Sequence, residues 1–139
     1  MSSAPPNVPP TAAVARLTTL DPDAGYVTTV NTYTVTPEHA ERVLDYLVRS
    51  ARETVRYVPG FVSFNFHVSL DRTQIVNYGQ WKSHEAIAAT RENPKILALM
   101  RETAKIAGSS KPIPYELCES VAAADRDEGH DGNHEGRLV

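Results

Sequence analysis

The chain of 139 residues predicts a single α+β domain of ferredoxin-like topology, a split β-α-β arrangement in which an antiparallel sheet carries its helices on one face. Three observations predict it. Hydrophobic periods of two and of 3.6 residues follow one another in the order β-α-β-β-α(α)-β. The middle two strands are joined by a short turn that reads as a hairpin. The length suits one core, because a stable core needs on the order of 100–150 residues.

The first strand is read from Tyr26 to Val35, where β-branched and small polar residues alternate. It runs into Thr36-Pro37-Glu38, which combines an N-cap residue, a first-turn proline and a first-turn acid, so a helix should begin there. Ala40, Val43, Leu44, Leu47, Val48, Ala51 and Val55 then recur at helical spacing until Pro59-Gly60, giving one apolar stripe that must lie on a sheet. Strands are expected over residues 61–69 and 73–81, around the turn Leu70-Asp71-Arg72-Thr73. Ser83 should cap a short helix. Asn93-Pro94 should start another, with a stripe of Leu97, Met100, Ala104 and Ala107 ending at Gly108. The last strand, residues 113–121, opens with prolines that suit a sheet edge.

Outside this body, residues 1–24 are rich in Pro, Ala and Thr and residues 123–139 in Gly, Asp and His, so both read as solvated extensions of a domain over residues 25–122. Five acids in the tail (Asp125, Asp127, Glu128, Asp131, Glu135) against Arg126 and Arg137 account for the net charge of −3. The body is neutral by count and has no basic stripe, so nucleic acid is not an expected partner. Neither an export signal nor a membrane-length apolar run is visible, and the single cysteine, Cys118, allows no intrachain disulfide, so a cytoplasmic protein without a membrane partner is expected.

With Asp71-Arg72 as the hairpin loop, Phe66 falls opposite Asn77, Phe64 opposite Gly79 and Val62 opposite Trp81, all on one face. Phe61, Ser63, Asn65 and His67 then share the other face with Val76, Tyr78 and Gln80. No further helix exists to cover that aromatic face, so two copies should pair through it as a homodimer.

Asn77-Tyr78-Gly79-Gln80-Trp81 is the most informative stretch. Asn77 and Trp81 point the same way with a gap at Gly79 between them, presenting an amide and an indole N–H donor. The gap has room for part of a flat ligand, and Phe64 and Phe66 would wall it. On spacing alone, the commoner reading is Trp81 as a core residue, Asn77 as a structural hydrogen bonder and Gly79 as a bulge, because buried aromatics are more often core than catalytic. Asn31 and Tyr33 share a face of the first strand within reach of the same pocket. His67, a potential base, faces the dimer side; Cys118 reads as a small buried hydrophobe. The tail histidines His130 and His134 lack a fixed coordination shell, and no metal site is expected.

The run Pro59-Gly60-Phe61-Val62-Ser63, His67-Val68-Ser69-Leu70-Asp71 and Val76-Asn77-Tyr78-Gly79-Gln80-Trp81-Lys82-Ser83 resembles the antibiotic biosynthesis monooxygenase family, over a body from Tyr26 to Val121. The resemblance implies a dimeric α+β barrel. It also implies oxidation of an aromatic polyketide intermediate, a phenol or anthrone, to a quinone by O₂ without flavin, haem or metal. It places Asn77 and Trp81 in the active site as catalytic residues and adds Arg101 from the later helix, which periodicity sets beside Leu97 and Ala104 on the core-facing edge. Where the polyketide oxidases have a tyrosine shortly after the tryptophan, this chain has Ile87. Haem-degrading relatives need a helical histidine after the tryptophan; His84 comes too soon and Arg91 stands in the expected region. The expected activity is a cofactor-independent monooxygenase acting on a small electron-rich aromatic substrate and O₂. A polyketide cyclase, or a non-catalytic binding or accessory protein, are the alternatives on the same fold.

Overall fold

The structure is a computed structural model describing residues 17–108 and 110–125. Its elements run β1 (Val27–Thr34), α1 (Pro37–Glu53), a 3₁₀ turn (Val55–Tyr57), β2 (Phe61–Val68), β3 (Gln74–Trp81), α2 (His84–Thr90), α3 (Pro94–Ala107) and β4 (Ile113–Glu116). The four strands lie in the order β2-β3-β1-β4, every pair antiparallel, and the helices lie on one face, as the ferredoxin-like reading expects.

Local chemistry explains most element boundaries. Pro37 opens α1 after Thr36, yet the Thr36 hydroxyl bonds His39 Nδ1 at 3.0 Å instead of capping a backbone N–H. Helix α1 stops at Glu53, before the Pro59-Gly60 stop read from sequence, and Val55 reaches the core from the following 3₁₀ turn. Its stripe lies inward: Ala40, Val43, Leu47 and Ala51 are buried. Ser83 Oγ accepts from Ala86 N at 3.1 Å to start α2. Asn93 Oδ1 accepts from Lys95 N and Ile96 N to start α3, a cap worth about 1 kcal/mol.

Helix α3 is turned relative to the sequence expectation. Ile96 is its buried residue and Leu99 packs behind it, while of the expected stripe Ala107 packs on the core and Met100, 50% exposed, and Ala104 line the cavity. The pull comes from Val55 and Trp81, against which Ile96 packs. The last strand is shorter than expected, ending at Glu116, so Cys118 lies beyond the sheet and is exposed instead of buried.

The β2–β3 hairpin keeps the expected register for Phe66 opposite Asn77 and Phe64 opposite Gly79. Its loop is wider than two residues: Ser69 and Gln74 form the last backbone pair, and Arg72 takes the left-handed conformation at φ 65°. Asp71 ties the turn, accepting from Ser69 Oγ, Thr73 Oγ1 and Thr73 N. At the other end the expected register fails. A bulge between Phe61 and Ser63 places Phe61, not Val62, opposite Trp81. The extra residue turns Phe61 onto the helix-side face, where its ring meets Trp81 edge-on at 5.5 Å and Phe64 at 5.0 Å.

The outer face is correspondingly more polar than the sequence reading held. Ser63 and Gln80 are buried there, with Ser63 Oγ donating to Gln80 Oε1 at 2.6 Å. Residues 17–20 lie across them: Thr18 Oγ1 donates to Asn65 Oδ1 at 2.7 Å, and Gln80 Nε2 donates to the Thr19 carbonyl at 2.9 Å. The end of the segment expected as a solvated extension is thus hydrogen-bonded to the sheet. Residues 1–16 and 126–139, including His130 and His134, lie outside the described residues.

Candidate active site

A cavity of about 230 Å³ lies between the sheet and its helices. The floor is built by strand alternation, which sends Thr29, Asn31 and Tyr33 of β1 and Asn77 and Trp81 of β3 to the same side, with Phe64 and Phe66 from β2. Helices α1, α2 and α3 roof it, chiefly through Ala51, Ile87, Ile96, Leu99 and Thr103. Gly108, Ser110 and Pro112 close the side next to β1.

Of the residues singled out in the sequence, Asn77, Trp81, Phe64, Phe66 and Asn31 are brought together on this cavity. Asn31 and Asn77 are direct cross-strand partners, which sets their Cβ atoms about 5 Å apart. Each has its carboxamide oxygen engaged: the Asn65 backbone N–H donates to Asn77 Oδ1 at 3.2 Å, and Ser110 Oγ donates to Asn31 Oδ1 at 3.0 Å. The backbone N–H fixes which end of the Asn77 amide is oxygen, and with Ser110 donating to Asn31 neither Nδ2 group has a partner among the described residues. Trp81 is 6% exposed, held by Phe61 and Phe64, and its indole N–H has no partner among the described residues. Every fully enclosed side-chain nitrogen or oxygen among the described residues is hydrogen-bonded. The amide and indole donors, which have no such bond, therefore open on water-accessible space.

Gly79 and Arg101 are placed differently from expectation. The space above Gly79 is taken by the protein itself, since a Cβ there would stand 2.8 Å from Thr29 Oγ1 and 2.9 Å from Phe64 Cε1. Gly79 is a seat for the Phe64 ring, and a ligand meets that ring instead of the glycine. Arg101 is exposed and does not line the cavity. With α3 turned to bury Ile96, five residues further on is a rotation of about 140° away from the core. His67 is exposed on the outer face.

Two contributors escaped the sequence reading. Ser110 is 79 residues from Asn31 and sits in a loop with no periodicity to mark it. Thr103 shares the inward face of α3; its hydroxyl donates to the Leu99 carbonyl at 2.8 Å. That face becomes visible once Ile96 is taken as the anchor of the helix. Among the described residues no group of three or more His, Cys, Asp or Glu is placed to hold a metal ion, and no helix is long and apolar enough to cross a membrane.

Comparison with known proteins agrees with this architecture. A family model described as antibiotic biosynthesis monooxygenase matches residues 26–102. Tetracenomycin-F1 monooxygenase of Streptomyces glaucescens is 34% identical over 107 residues, covering 77% of this chain and 95% of that protein. A monooxygenase from the ActVA-Orf6 gene of Streptomyces coelicolor, solved in complex with nanaomycin D, superposes with a TM-score of 0.64 at 26% identity, over 75% of this chain and 96% of that one. SnoaB, a cofactor-independent oxygenase from Streptomyces nogalater, shares the fold with a TM-score of 0.57 at 24% identity, over 71% and 99% of the two chains. The expected fold and the expected monooxygenase class of oxidoreductase are supported together, and the chain belongs to the antibiotic biosynthesis monooxygenase family.

Proposed function

We propose that the protein is a cytoplasmic, cofactor-independent monooxygenase that oxidises a polyketide-type phenol or anthrone to a quinone, with O₂ as the only co-substrate. One observation carries the reading. An apolar cavity walled by Phe64 and Phe66 holds three N–H donors, from Asn31, Asn77 and Trp81, none of which has a hydrogen-bond partner among the described residues.

Such a site suits a substrate that does its own reducing. A phenol or anthrone that loses its acidic proton becomes an oxyanion able to give an electron to O₂. The resulting radical pair joins at carbon, and loss of water from the hydroperoxide leaves the carbonyl. The protein's part is to favour the negative oxygen. One preorganised donor in a dry site is typically worth about 3 kcal/mol of barrier, and here the donors are held by strand backbone and by bonds to Asn65 and Ser110. The name of the Streptomyces glaucescens relative and the nanaomycin D ligand of the Streptomyces coelicolor structure support polycyclic aromatics as the substrate class.

The functional unit in this reading is a homodimer paired through the outer sheet face. Ile113 and Tyr115 of β4 are 60% and 50% exposed there, next to half-buried Val30, Val76 and Tyr78. That apolar strip, not Phe61, is what a second copy would cover. Light scattering should give twice the chain mass, and Ile113→Glu should shift it towards the monomer.

The test of activity is oxygen uptake with a tricyclic anthrone. Quinone should form faster than in buffer, one O₂ being consumed per quinone, and chelator treatment should leave the rate unchanged. Ring closure of a polyketide chain with no oxygen uptake would establish a cyclase instead. Tight binding without turnover would establish a binding protein.

A further inference from the structure

We propose that Tyr33 is the proton donor of this site, its phenol hydroxyl facing the reacting oxygen of the bound substrate; the assignment rests on the oxygenase reading above. Nothing in the family resemblance pointed to it. Among the described residues that line the cavity Tyr33 is the only ionisable side chain, the other polar groups being amides, hydroxyls and one indole. Among the described residues, an acid–base step inside this cavity therefore has one titratable side chain to use.

The geometry supports the assignment. Tyr33 stands two residues along β1 from Asn31, on the same face, and diagonally across from Asn77. Its ring is clamped in the core by Val43, Leu47 and Ile75, so the hydroxyl has a fixed position. That hydroxyl has no hydrogen-bond partner among the described residues, although every fully enclosed polar side-chain atom has one. It is therefore reachable by a water-sized group. Burial, with a smaller effect from the neighbouring Tyr46 of α1, pushes its pKa above the ordinary phenol value, so it carries its proton throughout the neutral range. Tyr46 is the one ionisable neighbour acting on it.

A proton is needed when the substrate hydroperoxide collapses. The C–H bond breaks and its electron pair forms the C=O bond, the proton passing to cavity water. The O–O bond breaks at the same time, and the departing oxygen takes the Tyr33 proton to leave as water. The phenolate then recovers a proton from the protonated cavity water. Carbon is oxidised, the peroxide is reduced, and the enzyme ends unchanged.

Tyr33→Phe removes only the hydroxyl and keeps the ring that packs on Ile75, so the fold is retained. Turnover should fall about ten- to a hundredfold with KM nearly unchanged, and the decline in wild-type turnover at alkaline pH, where Tyr33 ionises, should disappear. A second measurement does not depend on turnover. An inert hydroxyanthraquinone, whose colour reports ionisation, should bind both proteins but ionise at higher pH in Tyr33→Phe, which lacks the donor. Turnover within twofold of wild type together with an unshifted dye overturns the proposal. If the wild type consumes no O₂, the oxygenase reading falls by itself. The dye alone then decides whether Tyr33 donates to a ligand oxygen, a shift supporting that contact and no shift overturning it.

Discussion

Asn31 and Asn77 face each other across β1 and β3 with both carboxamide oxygens already engaged, one by Ser110 and the other by the backbone of Asn65. The pair therefore presents two unbonded amide N–H groups beside oxygens that already accept a bond each, a polarity that suits an oxyanion. Asn77→Asp keeps the shape and replaces the donor by a negative oxygen, so turnover should fall about ten- to a thousandfold in oxygen-uptake assays. Ser110→Ala frees the Asn31 amide to rotate, and a smaller loss, about two- to tenfold, is expected.

Gly79 tests the packing beneath the site. Gly79→Ala would press on Thr29 Oγ1 and on the Phe64 ring, and the ring cannot retreat without leaving Phe61 and Trp81. Overpacking of this kind costs about 1–3 kcal/mol. Thermal denaturation should show the loss, and the displaced Phe64 ring should weaken binding of aromatic ligands.

Arg101 points to solvent from the far side of α3. Arg101→Ala is expected to keep turnover within about twofold. A much larger loss would show that the arginine reaches substrate in the dimer, and Arg101→Lys would then separate its charge from its planar fork.

The hairpin turn should respond to acid. Asp71 accepts from the Thr73 and Ser69 hydroxyls and from Thr73 N, which lowers its pKa below the usual carboxylate value. Its stabilising effect is then complete above pH about 4 and is lost as pH falls through the lowered value. Asp71→Asn should reduce the melting temperature at neutral pH, and the gap between the two proteins should close in strong acid.

The pattern of success and failure in reading the sequence has physical causes. Register over Phe64 and Phe66 was legible because alternation and the loop position both specify it. The bulge at Phe61–Ser63 was not, because Phe61 and Val62 are both apolar and alternation does not say which of them faces inward. The inward face of α1 stood out because its stripe is continuous. Helix α3 is apolar nearly all round, with Ile96, Leu97, Leu99 and Met100 in its first turns, so periodicity fitted two rotations about equally and the wrong one carried Arg101 inward. Asn77 and Trp81 could be found from their spacing, and Asn77→Asp tests whether the first acts on substrate. Ser110 and the hold of residues 17–20 on the sheet depend on contacts far apart in the chain.

Asn65 belongs to both surfaces of the sheet. Its side chain receives Thr18 on the outside, while its backbone N–H aims Asn77 into the cavity. A shortened preparation beginning at residue 21 would still contain every cavity residue, yet it would loosen the strand position that orients the donor. The choice of cloning boundary is thus itself a kinetic variable, and rates measured on trimmed and full-length protein are not interchangeable.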